Sequence, residues 1–62
     1  MTDRFMLKVR LRGESRYKFV DGLGGLVSLR VHAIAVPRKR ADELAMRLRA
    51  NERVLDVKVV EA

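Results

Sequence analysis

Only one stretch of the chain has the periodicity of a helix, and this feature limits the possible folds more than any other. Four apolar residues recur there at the i, i+3, i+4, i+7 spacing of a narrow helical stripe: Ala41, Leu44, Ala45 and Leu48. Pro37 suits the position where such a helix begins, because its missing N–H is not needed there. The pattern predicts one helix over residues 38–50, roughly 20 Å long.

The rest of the chain carries the alternating patterns that are typical of strands. In Phe5–Leu11 the apolar residues Phe5, Leu7, Val9 and Leu11 alternate with Met6, Lys8 and Arg10, which predicts a half-buried first strand with a mainly basic outer face. Residues 16–20 form a short second pattern in which Tyr17 and Phe19 share a face, and residues 26–36 and 54–60 form the third and fourth. The sequence therefore predicts one small basic α+β domain over residues 1–62, with the order β-β-β-α-β. We expect a single-layer sheet of three to four strands with one helix packed on one face. The strand after the helix is expected to run parallel to the third.

A single helix covers only one face of a sheet, so the other face is expected to stay open. Leu44 and Leu48 should pack against the apolar side chains of the covered face: Phe5, Leu7, Val9, Leu11, Val31, Leu55, Val57 and Val59. The outward positions are strongly cationic: Arg4, Lys8, Arg10, Arg12, Lys18, Arg30, His32 and Lys58. Apolar residues lie between them: Met6, Val20, Ile34, Val36, Val54 and Val60.

The chain has a net charge of +6, and ten of its fourteen cations are arginine. A basic balance of this kind points to an anionic partner such as nucleic acid or an acidic protein surface. It is also what a GC-rich coding sequence produces without any functional cause. Composition alone leaves both explanations open.

Three cations, Arg38, Lys39 and Arg40, occupy the first turn of the predicted helix; we call them the 38–40 cluster. Their sign is unfavourable, because free N–H groups already make a helix N-terminus partly positive. One interpretation is an anion site formed by these cations and the N–H groups. The other is a solvated turn whose cations pair with Asp42 and Glu43, which contributes little energy.

Two functional hypotheses follow, and both describe a non-enzymatic binding module. The first is electrostatic binding of nucleic acid or another polyanion. Its candidate residues are Lys8, Arg10, Arg12, Lys18, Arg30, Arg38, Lys39 and Arg40. Because only three aromatic residues are present and Phe5 is needed in the core, base stacking is not expected, and binding should be backbone-directed and weakly sequence-selective.

The second hypothesis is a protein–protein interaction module, either a homodimer or a small regulator of another protein. Its candidate interface consists of the apolar residues of the open face: Met6, Ile34, Val36 and Val60. An accessory protein encoded by a phage or mobile element would also fit this size and composition.

Several chemistries lack the residues they need. The chain has no cysteine and a single histidine, His32, so no metal site is predicted. The "DGLGGL" stretch, residues 21–26, lacks the lysine of a phosphate-binding loop and leads into a strand. No nucleophile has a companion base. We expect no enzymatic activity, cofactor or small-molecule substrate. No apolar run is long enough to span a membrane, and charges interrupt the N-terminal apolar stretch, so a cytoplasmic protein without a secretory signal is expected.

Overall fold

The computed structural model describes residues 3–62. Its elements are β1 (Phe5–Leu11), β2 (Lys18–Val20), β3 (Leu26–Val27), α1 (Arg38–Arg49) and β4 (Val54–Glu61), with one turn of 3-10 helix at Arg30–His32. The strands form one antiparallel sheet in the order β3-β2-β1-β4. The predicted α+β class, the β-β-β-α-β order and the helix are confirmed.

The core lies between α1 and the two strands it contacts, β1 and β4. Ala41 and Ala45 are fully buried on the helix, and their small side chains let its backbone approach the sheet closely. Leu7 and Val9 are the largest fully buried side chains, and both come from β1. Leu44 and Leu48 pack against this core from partly buried positions. The helix therefore closes one face of the sheet only over its two longest strands.

The predicted third strand over residues 26–36 is wrong. Only Leu26–Val27 pairs with β2, and the chain then turns through Arg30–His32 before returning to the sheet at Val36. Val36 and Phe5 exchange both backbone hydrogen bonds, at 2.7 and 2.9 Å. Because α1 lies over β1 and β4, no apolar layer covers residues 28–32, and Val31 is 83% exposed. An alternating pattern without a layer to bury it does not make a strand.

The predicted parallel relation between the third strand and the last is also wrong, since β3 and β4 run in opposite directions. The 3-10 turn explains this result, because the chain reverses between β3 and the helix. At Val36 the chain runs antiparallel to β1, as β4 does. The segment that enters the helix and the strand that leaves it therefore run in the same direction, on opposite sides of β1.

A β-bulge decides which residues of β4 enter the core. The partner of Arg10 is Asp56 and the partner of Leu11 is Val54, so Leu55 is the extra residue of the bulge. Val54 is buried, whereas Leu55 is 45% exposed. The predicted packing is therefore wrong for Leu55 and Val31. It is confirmed for the other members of the predicted set: Phe5, Leu7, Val9, Leu11, Val57 and Val59.

Two arginines cover the free edge of β4. The backbone N–H and C=O groups of Phe5 bond to Val36, on the side of β1 away from β4. Backbone groups alternate in direction along a strand, so those of Glu61, opposite Phe5, point away from β1. The same holds for Val57, opposite Val9. Arg49 Nη2 donates to the Val57 carbonyl at 3.3 Å, and Arg30 Nη2 donates to the Glu61 carbonyl at 3.2 Å. Occupied carbonyls make an edge strand a poorer template for another strand.

We predict that Leu7→Ala lowers the free energy of unfolding by about 2–5 kcal/mol, because it opens a cavity under α1. A core of this size supplies only about 3–5 kcal/mol, so much of the protein is expected to unfold. Leu55→Ala is the matched control and should cost less than about 0.5 kcal/mol, because Leu55 lies outside the core. Urea titrations followed by circular dichroism measure both. Equal losses for the two variants would contradict the bulge.

Candidate functional site on the open sheet face

The open face is the side of the sheet that α1 does not cover, and the register of β2 decides which residues reach it. Phe19 is the cross-strand partner of Lys8, so Phe19, and Tyr17 two residues before it, lie on the open face with Lys8. Lys18 is the partner of Val9 and faces the helix side, where its Nζ is 3.3 Å from Glu14 Oε1. The prediction that Lys18 faces outward is therefore wrong.

Tyr17 is the centre of a cluster of charged side chains on the open face. Its ring centroid is 5.3 Å from Lys8 Nζ, 5.1 Å from Lys58 Nζ and 5.8 Å from Arg10 Cζ. Its hydroxyl donates a hydrogen bond to the Asp56 carboxylate on β4. We call Lys8, Arg10, Tyr17, Asp56 and Lys58 the Tyr17 cluster. The Tyr17 side chain extends from the residue before β2, over β1, to Asp56 on β4.

The electrostatics of the Tyr17 cluster explain the position of the ring. Lys8 and Lys58 are direct cross-strand partners, a like-charge pair that is unfavourable on a sheet. An aromatic face attracts cations, by about 0.5–1 kcal/mol each at exposed sites. Arg10 lies opposite Asp56, so one of the three cations has an acidic neighbour. Three cations against one carboxylate leave the cluster positive.

Tyr17 also changes the acidity of Asp56. The hydrogen bond from the Tyr17 hydroxyl, with smaller help from the Val57 backbone, Lys58 and Arg10, holds the pKa of the Asp56 carboxyl below its ordinary value against the opposing effect of desolvation. Asp56 therefore stays ionised to a lower pH than an ordinary aspartate and keeps accepting the hydrogen bond that fixes the ring.

The other cations predicted to lie on the open face are dispersed. Arg12 follows the end of β1, and its Nε donates to the Glu52 carbonyl at 2.7 Å. Arg4 is exposed before the start of β1. Arg30 and His32 belong to the 3-10 turn, because the third strand ends early. Of the eight predicted outward cations, the sheet gathers three: Lys8, Arg10 and Lys58.

The 38–40 cluster lies on the helix and therefore on the other side of the sheet from the Tyr17 cluster. Arg38 Nε is 3.1 Å from Asp42 Oδ1, and Arg40 Nη1 is 3.4 Å from Glu43 Oε2. The Arg38 guanidinium also lies 5.3 Å from the centre of the Phe5 ring. Arg38 and Arg40 therefore pair with Asp42 and Glu43, as the second interpretation of the 38–40 cluster expects. Among residues 3–62, Lys39 forms no ion pair.

The apolar residues proposed as a protein interface do not form one surface. Val36 lies in the core, Ile34 packs against it, and Met6 is buried outside that cluster. Val60, the cross-strand partner of Met6, is half-buried. Val20 and Val54, also expected on the open face, are in the core. The register of β2 and the bulge in β4 turn these two residues toward the helix.

Sequence reasoning missed two features of the surface. The outward position of Tyr17 and Phe19 follows from pairing with β1, and the alternating pattern shows only that the two rings share a face.

The second feature is the β2–β3 loop, at whose tip Leu23 is 96% exposed. That loop is ordered, because Asp21 Oδ1 accepts hydrogen bonds from the N–H groups of Leu23 and Gly25. The aspartate before a glycine-rich stretch is the signal for such a turn.

Within residues 3–62, no group of three or more acidic or histidine side chains is placed to hold a metal ion. Within the same residues no helix is long and apolar enough to cross a membrane, and α1 has 12 residues. Comparison of the chain with protein-family models, curated proteins and solved structures gives no match.

We predict a pH-dependent difference in stability between the wild type and Asp56→Asn. The Asp56 pKa is lowered in the folded state, so its contribution is complete above the ordinary carboxyl pKa. It is lost as the pH falls through the lowered, folded-state value. Urea titrations from neutral pH to about pH 2 should show the wild type more stable at first and the difference closing with acid. Tyr17→Phe, which removes the main cause of the shift, should weaken this pH dependence. A constant difference would contradict the assignment.

We predict that the N-terminus of α1 can be stabilised at Pro37, which caps the helix without a side-chain hydrogen bond. Pro37→Asp would supply an acceptor for the free N–H groups and a negative charge beside the 38–40 cluster. Compared with Pro37→Ala, it should raise the free energy of unfolding by about 0.5–2 kcal/mol. Thermal unfolding at low and high salt measures the difference, which should shrink with salt. Equal stability of the two variants would contradict an uncapped, positive helix start.

Proposed function

We propose that this protein is a non-enzymatic module that binds nucleic acid through the Tyr17 cluster on its open sheet face. The observation that carries the proposal is the convergence of Lys8, Arg10 and Lys58, from two neighbouring strands, on the side of the sheet that α1 leaves uncovered. Phosphate groups are the partners that such a concentration of positive charge favours.

The position of the charges supports this choice over a merely basic composition. Most cations of the chain are at the ends of strands, on the helix or in contact with backbone carbonyls, whereas these three surround one ring. Lys8 and Lys58 are direct neighbours that repel each other, and a bound phosphate would relieve that repulsion. Binding of an anion would therefore stabilise the Tyr17 cluster.

The remaining candidates have a smaller part in the proposal. Arg38 and Arg40 are paired within α1 and face away from the Tyr17 cluster, and Lys18 is paired with Glu14. Arg12 and Arg30 donate to backbone carbonyls. These residues add to the long-range attraction of a polyanion but do not form the contact surface. Phosphate contacts carry no sequence information, so binding should be weakly sequence-selective. A cytoplasmic location is also part of the proposal.

The decisive experiment compares two double variants with the same change in charge on opposite sides of the sheet. Lys8→Gln with Lys58→Gln should weaken binding to a labelled oligonucleotide and reduce its salt dependence. The expected reduction is about 0.7–0.9 log units per log unit of salt for each phosphate that the variant no longer neutralises. Lys39→Gln with Arg40→Gln is the matched control on α1 and should leave most of the affinity. Fluorescence anisotropy at several salt concentrations measures both.

Equal loss of affinity in the two double variants would contradict the open face as the binding surface. No binding of single-stranded or duplex oligonucleotide at low salt would contradict the function itself. In that case a stable dimer in light scattering would favour the protein-interaction hypothesis, and the exposed segment with Leu23, Leu29 and Val31 would be its first candidate surface.

A further inference from the structure

We infer that the open face selects single-stranded nucleic acid, with an unpaired base stacked on the ring of Tyr17. The inference rests on the proposed function and adds the class of ligand. It reverses the expectation from composition that base stacking plays no part, because that expectation counted aromatic residues without their positions. Two of the three aromatic rings lie on the open face, next to the cations.

Tyr17 is held in a fixed position on this face. Its backbone adjoins β2, its ring crosses β1, and its hydroxyl is bound by Asp56 on β4, so the side chain is held at both ends. Tyr17 is half-buried, so part of the residue stays accessible. A half-buried ring that is anchored in this way loses little conformational entropy when a ligand covers it. The Tyr17 ring is therefore suited to stacking.

The surroundings of the ring match the backbone of a stacked nucleotide. Lys8, Arg10 and Lys58 are within 5.8 Å of the ring centroid, so a phosphate beside a stacked base has three cations nearby. Phe19 lies on the same face two residues further along, about 7 Å from Tyr17 by strand geometry. It offers a second ring for a neighbouring base.

This arrangement discriminates between single strands and duplexes. In a duplex the faces of the bases are covered by their neighbours, so only phosphates and groove edges reach a sheet surface. Unpaired bases expose their faces and stack on aromatic side chains without much dependence on sequence. The cations can contact the phosphates of either ligand, whereas the aromatic rings can stack only on the exposed bases of a single strand.

The composition of the chain allows a direct measurement at the ring. Tyr17 is the only tyrosine, and the chain has no tryptophan, so intrinsic fluorescence excited near the tyrosine band reports on Tyr17. Titration with unlabelled oligothymidylate of about 12 nucleotides, a length within known site sizes, should quench this fluorescence. The same titration of free N-acetyltyrosinamide corrects for light absorbed by the oligonucleotide. A duplex of equal length should quench much less.

Affinity measurements complete the test. Tyr17→Leu should weaken binding of the labelled single strand by about tenfold and leave its salt dependence unchanged, because stacking releases no counterions. Duplex binding should lose clearly less affinity than single-strand binding, because the duplex is held by phosphate contacts and not by the ring. Phe19→Leu and Phe5→Leu form a matched pair on opposite faces of the sheet, and only the first should weaken binding of the single strand. Circular dichroism confirms that each variant is folded at the temperature used.

The outcomes separate this inference from the proposed function. Equal binding of single strand and duplex, no quenching and an unaffected Tyr17→Leu variant would overturn the stacking inference while phosphate binding stands. No binding of either oligonucleotide would overturn both. Quenching by the single strand together with selective loss in Tyr17→Leu is the result that we expect.

Discussion

The contact between α1 and the strands β1 and β4 is the interaction on which the rest of the structure depends. Ala41 and Ala45 bring the helix close to Leu7 and Val9, and these four side chains are almost completely buried. In a 62-residue chain this single helix supplies the apolar layer that shields the sheet. The helix shields only one face, so the other face must be stable in water. The opposite positions of the Tyr17 cluster and the 38–40 cluster follow from that division.

The Tyr17 cluster reduces the repulsion between neighbouring cations on the uncovered face. Cross-strand neighbours of the same sign would repel each other, and the ring of Tyr17 between Lys8, Arg10 and Lys58 reduces that repulsion. The bond from Tyr17 to Asp56 fixes the ring and holds a carboxylate in the cluster. The same arrangement that stabilises the sheet presents an anchored aromatic ring among cations. Stability and the proposed binding of nucleic acid therefore depend on the same side chains.

The high net charge of the chain is a poor guide to where a polyanion would bind. Arg38 and Arg40 form pairs along α1, while Arg30 and Arg49 donate to carbonyls at the edge of β4. These arginines have structural partners on α1 or at the edge of β4, and none of them belongs to the Tyr17 cluster. Three of the fourteen cations converge on one aromatic ring, and that local concentration supports the functional proposal better than the total charge does.

The sequence by itself determined the helix, the strands β1 and β4, and the order of elements, because their periodicities are long enough to be unambiguous. It also predicted that one sheet face stays open, since one helix cannot cover two. Three features were decided only by tertiary structure: the outward face of Tyr17 and Phe19, the early end of β3, and the bulge that excludes Leu55 from the core. An alternating pattern shows which residues share a face, whereas pairing with a neighbouring strand decides which face is buried. A shift of one residue in register exchanges the two faces, and no local preference in a three-residue strand prevents it.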